Sequence, residues 1–237
     1  MRAKEFSLDT VNTLPGDGGI MLLSEIEKVP ADVYSGEQYT LMPDDQKANL
    51  RRLPGKSGYF YFLDDLYQLK IVTPDKKKIV ALMQLNHYNF PTDNTVQVGT
   101  ISVDPEYRGQ GLAMALYGIV LLIMLRTLVS GDSQTPAGQR MWTVLWILQK
   151  RIPRLSVRGY FSIADDQIDD AQDIPVIVGE LGAEYLGEVN NYHVFAFDVK
   201  PRASGRELKA AIETEFSKIY GTTVDRVNEV GLFARIE

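Results

Sequence analysis

Apolar and polar positions alternate through Leu66-Tyr67-Gln68-Leu69-Lys70-Ile71-Val72, and Lys78 to Leu85 is rich in strand formers. With the polar turn Thr73-Pro74-Asp75-Lys76-Lys77 between them, the pattern predicts a hairpin. A second turn, Phe90 to Asn94, leads into the alternating run Thr95 to Val103, which completes a meander of three strands. The aliphatic run that follows, Leu112 to Val129, predicts a buried helix. After the break Ser130-Gly131-Asp132-Ser133-Gln134, Thr135 as N-cap and Pro136 at the first helical position start another helix, reaching Lys150. Leu155 to Ile163 and His193 to Val199 read as strands, with a short helix near Ile174 to Leu181 between them. Leu208, Ala211, Ile212 and Phe216 line one side of an amphipathic helix from Ser204 to Tyr220. Upstream, Ile20 to Val29 and Asp44 to Leu53 are weakly helical, and residues 1–19 form a Pro- and Gly-containing arm. The expected organisation is an arm over 1–19, one mixed α/β domain over 20–200, and a C-terminal extension over 201–237 whose helix is a candidate homodimer contact.

Composition narrows the class. With 237 residues, 45% hydrophobic and 24% charged, the chain has the make-up of an ordinary globular protein. A formal charge of −6 argues against general affinity for nucleic acid or an anionic membrane. Without cysteine there is no disulfide, thiolate metal site or cysteine nucleophile, and a reducing, cytoplasmic location fits. No metal site is expected. The N-terminal Met1-Arg2-Ala3-Lys4-Glu5-Phe6 lacks the apolar core of a signal peptide. Leu112 to Leu125 is shorter than the roughly 20 residues that span a bilayer.

The segment Val103-Asp104-Pro105-Glu106-Tyr107-Arg108-Gly109-Gln110-Gly111-Leu112-Ala113-Met114-Ala115-Leu116 lies between the third strand and the apolar helix. A strand, a glycine-containing turn and a helix start bring several backbone N–H groups toward one open space, a setting that attracts phosphate. Gly109 and Gly111 let a pyrophosphate approach without a Cβ in the way, and Arg108 adds charge. A dinucleotide fingerprint would need a third glycine where Met114 stands. Gly55-Lys56-Ser57 echoes the end of a P-loop, but Leu50 occupies the position of its first glycine, so that segment reads as a turn. The bland alternative for Arg108 to Gly111 is a tight strand-to-helix turn with a surface arginine.

The segment resembles the acetyl-coenzyme A motif of the GNAT N-acetyltransferase family: Gln or Arg, two variable residues, Gly, one variable residue, then Gly or Ala. Arg108, Gly111 and Ala113 satisfy that pattern. The resemblance spans Tyr59 to Lys200 and is strongest over Val98 to Leu125. It implies a GNAT-like acyl-CoA N-acyltransferase fold, a central, mostly antiparallel, splayed sheet flanked by helices, here with a C-terminal helical extension. It further implies that Arg108, Gly109, Gln110, Gly111, Leu112 and Ala113 hold the pyrophosphate of acetyl-coenzyme A, and that the pantetheine pairs with the strand edge at Ile101, Ser102 and Val103. A primary amine of a small molecule or protein would then attack the thioester directly, with no metal and no covalent enzyme intermediate.

The residues that complete the reaction depart from the family pattern. The glutamate that many members carry on the fourth strand is missing, since Thr95 to Val103 offers only Thr95, Gln97, Thr100 and Ser102 as polar side chains. Asp93, Glu106 and His87 are the bases that could act through water, and an amine that arrives neutral needs none. The family's acid is a helix tyrosine, and Trp142 stands at that spacing, a donor but not an acid. Tyr160 is the substitute candidate, with Tyr107 and Tyr192 behind it, against a packing role for each. Trp142 and Trp146 read as core or groove aromatics, Asp165 to Asp173 as a solvated acidic loop, and Lys150, Arg151, Arg154 and Arg158 as a basic helix end that could also meet the 3′-phosphate. His87 and His193 lack metal-type neighbours in sequence. Two readings follow: an acetyl-coenzyme A-dependent N-acetyltransferase, or a catalytically weak GNAT-fold module that binds coenzyme A or a partner protein.

Overall fold

A computed structural model describes residues 47, 49–88, 91–92, 94–130, 136–169, 172–199, 205–220 and 227–237. Among them run ten strands: β1 (Arg51–Arg52), β2 (Phe60–Leu63), β3 (Gln68–Val72), β4 (Ile79–Tyr88), β5 (Thr95–Val103), β6 (Thr127–Val129), β7 (Leu155–Ala164), β8 (Glu184–Val189), β9 (Tyr192–Phe197) and β10 (Val227–Ile236). Four α-helices accompany them: α1 (Leu112–Gly118), α2 (Pro136–Leu148), α3 (Asp173–Leu181) and α4 (Gly205–Tyr220). The strands form one sheet in the order β1-β2-β3-β4-β5-β6-β10-β7-β9-β8. The expected mixed α/β class with a mostly antiparallel sheet is therefore what the structure has. The arm over 1–19, the helix over Ile20 to Val29 and the Thr135 cap lie outside the described residues. Of the helix expected over Asp44 to Leu53, the end is instead the strand Arg51–Arg52, paired with β2.

The chain divides into two compact units: residues 1–86 with 98–119, and residues 87–97 with 120–237. In the first, Thr73 N donates to Lys78 O at 2.9 Å and closes the predicted hairpin between β3 and β4. Leu69, Ile71, Val80 and Met83 of that hairpin are fully buried, and α1 packs on β3 through a face that buries Leu112, Ala115 and Leu116. β4 is buried on both faces over Ile79 to Met83, and α1 is buried over Leu112 and Met114 to Tyr117, so both lie inside the layer.

In the second unit, β5 and β6 run parallel, in register from Thr95–Thr127 to Gln97–Val129. A parallel pair needs a long crossover, and residues 104–126 supply it. The helix expected over Leu112 to Val129 is accordingly shorter: α1 ends at Gly118, a π turn covers Ile119–Ile123, and Thr127 to Val129 extends into β6. The apolar run masks this break because helix and buried strand are both greasy throughout.

β10 lies between β6 and β7, pairing antiparallel with both. Its neighbour α4 buries Leu208, Ile212 and Phe216, while Ala211 is exposed. Phe216 meets Phe161 edge-on at 5.7 Å, and Phe161 stacks on Phe195 at 5.0 Å. The buried side of α4 thus covers its own unit's sheet. On the opposite face sit Val129, Tyr160, Val194, Ala196 and Phe233.

Ser162, on β7, is wholly buried, and its hydroxyl finds no hydrogen-bond partner among the described residues. A buried hydroxyl without a partner costs about 1–3 kcal/mol. At the lower end of that range, about 1 kcal/mol, Ser162→Ala is expected to raise the thermal midpoint by roughly 2–4 °C. A lower midpoint in a melting curve would show that the hydroxyl contributes to the fold.

Candidate functional site

The motif expected to meet a phosphate occupies the turn between β5 and α1. Asp104 begins it: its buried carboxylate accepts from Glu106 N at 3.0 Å and caps a 3-10 turn over Pro105–Tyr107. Proline in the first turn suits this geometry, since its ring presets φ and the missing N–H is not needed. Lys78, at the base of β4, lies 2.7 Å from Asp104 and 3.2 Å from Glu106, with its ammonium 5.3 Å from the Tyr107 ring centre. Hydrogen bonds to Asp104 and then Glu106 hold the Lys78 pKa above the ordinary lysine range. Because that pKa is raised, the stabilisation is fully present at neutral pH and is lost only as pH rises through the strongly alkaline region. Asp104→Ala removes the cap and is expected to cost about 1 kcal/mol of stability, measurable by urea denaturation; an unchanged midpoint would show that the turn holds without it.

Past this anchor, Arg108 turns back so that its Nε donates to Val103 O at 3.3 Å. Gly109 and Gly111 both take left-handed backbone, φ 77° and 71°. Side chains with a Cβ rarely adopt this conformation, which is why glycine stands at both places. Gln110 between them is exposed, and its Oε1 accepts from the Tyr59 hydroxyl at 2.8 Å. Burial, and then the neighbouring Tyr107, keep the Tyr59 pKa above its usual value, so Tyr59 stays a donor at neutral pH.

A Cβ built on Gly111 would lie 3.9 Å from both Cε and Nζ of Lys56 and meet nothing nearer. Gly55-Lys56-Ser57 is a turn, as expected, but it delivers an ammonium to the motif, which the sequence does not announce. Lys78 is occupied by Asp104 and Glu106, whereas among the described residues no carboxylate pairs with Arg108 or Lys56. An exposed glycine turn flanked by two uncommitted cations is a setting for a polyanion. It leaves room on the backbone where a side chain would otherwise stand. Leu112, 1% exposed, anchors the far end in the core, while Ala113 is half-buried. Ile101 and Val103 are half-buried and Ser102 is buried; all three lie on β5 beyond the stretch in register with β6.

Tyr160 belongs to the second unit. It is 2% exposed, on β7, directly opposite Gly231 of β10 and Ala196 of β9. A Cβ on Gly231 would come within 2.7 Å of the Tyr160 ring, so only glycine permits the ring to lie across β10. The Tyr160 hydroxyl is 3.2 Å from that of Tyr88, and Tyr88 in turn donates to Glu229. Neither Tyr88 nor Glu229 is among the sequence candidates.

The remaining candidates are placed as follows. Glu106 is tied to Lys78, His87 is exposed on β4, and Asp93 lies outside the described residues. Tyr107 stands beside Lys78, and Tyr192 packs against the Tyr160 cluster. Trp142 is 1% exposed and is core. His193 is fully buried, its ring nitrogens 2.9 Å from the Tyr185 hydroxyl and from Asp165. Asp173 accepts from Asp169 N and Tyr220, so the acidic loop is partly structural. Arg158 pairs with Glu184 and Asp198, Arg154 donates to Glu237 O, and Lys150 lies over Trp146. Among the described residues no group of three or more His, Asp or Glu side chains is arranged to hold a metal ion, and no helix is long and apolar enough to cross a membrane.

A family model described as the acetyltransferase (GNAT) family matches residues 32–126. The match runs from before β1 to the residue preceding β6, and so contains the Asp104 to Ala113 turn, Lys56 and Tyr59. It supports an acetyltransferase-type function. Neither the curated proteins nor the solved structures searched returned a match.

Proposed function

From the GNAT-family segment that residues 32–126 of this chain form, we propose that the protein is an acetyl-coenzyme A-dependent N-acetyltransferase that acts on a primary amine in the cytoplasm. The observation that carries the reading is the turn Arg108 to Ala113, with two left-handed glycines and the cations Arg108 and Lys56, with which no carboxylate among the described residues pairs. The residues fit the cosubstrate: N–H groups of Gly109 to Ala113 receive pyrophosphate oxygens, Arg108 and Lys56 balance their charge, and the β5 edge at Ile101, Ser102 and Val103 pairs with the amide-bearing arm. Acetyl-coenzyme A supplies an acetyl group already activated as a thioester.

Tyr160 is the proposed acid. Its hydroxyl is held in a hydrogen-bonded chain of ionisable groups, and a group that moves a proton needs such a partner. The chain through Tyr88 to Glu229 also favours the enzyme over the catalytically weak binder, whose case rests on Trp142 and on the absence of a β5 carboxylate. The acceptor, a small molecule or a protein, is set by loops around the donor fold.

The test is thiol release from acetyl-coenzyme A across a panel of small amines and lysine- or N-terminus-bearing peptides, with mass spectrometry of the acetylated product. Amine-dependent release with a matching product supports the reading. Binding of acetyl-coenzyme A without transfer to any member of the panel favours the binder instead.

A further inference from the structure

We propose that Glu229, acting through Tyr88, stores the proton that Tyr160 delivers, so that a β10 carboxylate replaces the strand carboxylate missing from β5. The reaction it serves rests on the reading above. The proton path itself rests on side chains of the second unit alone.

The path begins in an irregularity of β10. Val227 is opposite Ile163 and Val230 is opposite Phe161, so β10 carries one more residue than β7 over this interval. Such a bulge re-aims a side chain out of simple alternation. Here it sets Asn228 and Glu229 across from Ser162, two residues along β7 from Tyr160 and so on the same face. Tyr88, the last residue of β4, reaches this place and donates its hydroxyl to Glu229 Oε2. Its oxygen is 3.2 Å from the Tyr160 hydroxyl, and either can be the donor. The Tyr160 ring is fixed from behind by Gly231 and edge-on by Phe233 at 6.4 Å. Among the described residues no lysine or arginine pairs with Glu229. Arg158, on the same face of β7, is engaged by Glu184 and Asp198. Among the described residues the half-buried carboxylate is thus balanced by the Tyr88 hydroxyl alone, which suits an incoming ammonium.

The proton balance is closed. With Glu229 ionised, Tyr160 O–H donates to Tyr88 Oη, and Tyr88 O–H donates to Glu229. When an ammonium gives one proton to Glu229, the amine becomes neutral and the chain reverses: Glu229 donates to Tyr88, Tyr88 to Tyr160, and the Tyr160 hydrogen points outward. Loss of that hydrogen to an acceptor lets each oxygen pass one proton along and returns Glu229 to the carboxylate. The ammonium proton taken by Glu229 is matched by the one delivered from Tyr160 to the leaving thiolate, the second proton that nitrogen loses as the amide forms passes to solvent water, and no bond to carbon changes within the relay. Glu229 thus acts directly on the ammonium as its base and reaches the leaving group only through two hydroxyls.

The experiment uses the full chain with Glu229→Gln, Glu229→Asp and Tyr88→Phe. Low-field proton spectra of the wild type are expected to show hydroxyl resonances that vanish in Tyr88→Phe and move upfield in Glu229→Gln, with melting midpoints close to wild type. In turnover, Glu229→Gln should lower kcat about 10-fold with KM for acetyl-coenzyme A unchanged, and Glu229→Asp should recover part of the loss. Hydroxyl resonances and kcat that ignore Glu229→Gln overturn the relay, as does a loss that appears in KM alone. If the wild type binds acetyl-coenzyme A yet acetylates no amine, the reading above fails, and the hydroxyl spectra still decide the relay on their own.

Discussion

Gly111→Asp is expected to weaken acetyl-coenzyme A binding about 100-fold while the protein stays folded. The backbone at Gly111 is left-handed, φ 71°, a conformation that aspartate tolerates better than most side chains. A Cβ there meets nothing nearer than Lys56 at 3.9 Å, so the strain amounts to roughly 1 kcal/mol. Electrostatics decides the rest. A carboxylate on this turn pairs with Lys56, removing one of the two uncommitted cations, and stands beside the pyrophosphate. Two like unit charges about 4 Å apart cost about 1 kcal/mol in water and about 4 kcal/mol near a protein surface. Gly111→Asn has the same backbone tolerance without the charge, and is expected to lose less than about tenfold. Calorimetric titration of the three proteins checks this; equal affinities for Asp and Asn variants would show that charge at Gly111 is irrelevant to the ligand.

Tyr160→Phe is expected to reduce kcat about 1000-fold and to leave acetyl-coenzyme A affinity unchanged. The substitution removes one hydroxyl and keeps the ring, so the contact with Phe233 and the fit over Gly231 persist. Tyr88 retains Glu229 as its acceptor. What is lost is the hydroxyl that hands on the proton. Steady-state kinetics with a productive amine provides the test, and a kcat within threefold of wild type would reduce Tyr160 to a packing residue.

The donor side was legible because its signals are local. Alternation marks β3 and much of β5, a run of strand formers marks β4, and the motif between β5 and α1 needs glycine at two neighbouring left-handed positions, which sequence spacing records directly. Elements without a local signature were missed. β6 is three residues long and hidden at the end of an aliphatic run. β8 alternates weakly, since most of its residues are half-buried. β10 carries the bulge that breaks its alternation, so neither period marks it as a strand. Lys56 reaches Gly111 across 55 positions, and Tyr88 reaches Tyr160 and Glu229 across 72 and 141. Contacts at such separations are products of strand order, which one sequence does not contain. Tyr160 was recognised as a candidate only by elimination; its partners became visible once β4, β7 and β10 were placed.

Acetyl transfer by this chain requires first that the turn after β5 receive the cosubstrate. Amide spectra of the ¹⁵N-labelled protein, recorded while acetyl-coenzyme A is added, test this residue by residue. The predicted result is saturable shifts that are largest at the N–H groups of Gly109, Gln110, Gly111, Leu112 and Ala113 and that need about 100-fold more ligand in Gly111→Asp. Amides of that turn that stay in place at millimolar acetyl-coenzyme A, or shifts confined to other parts of the chain, would contradict it.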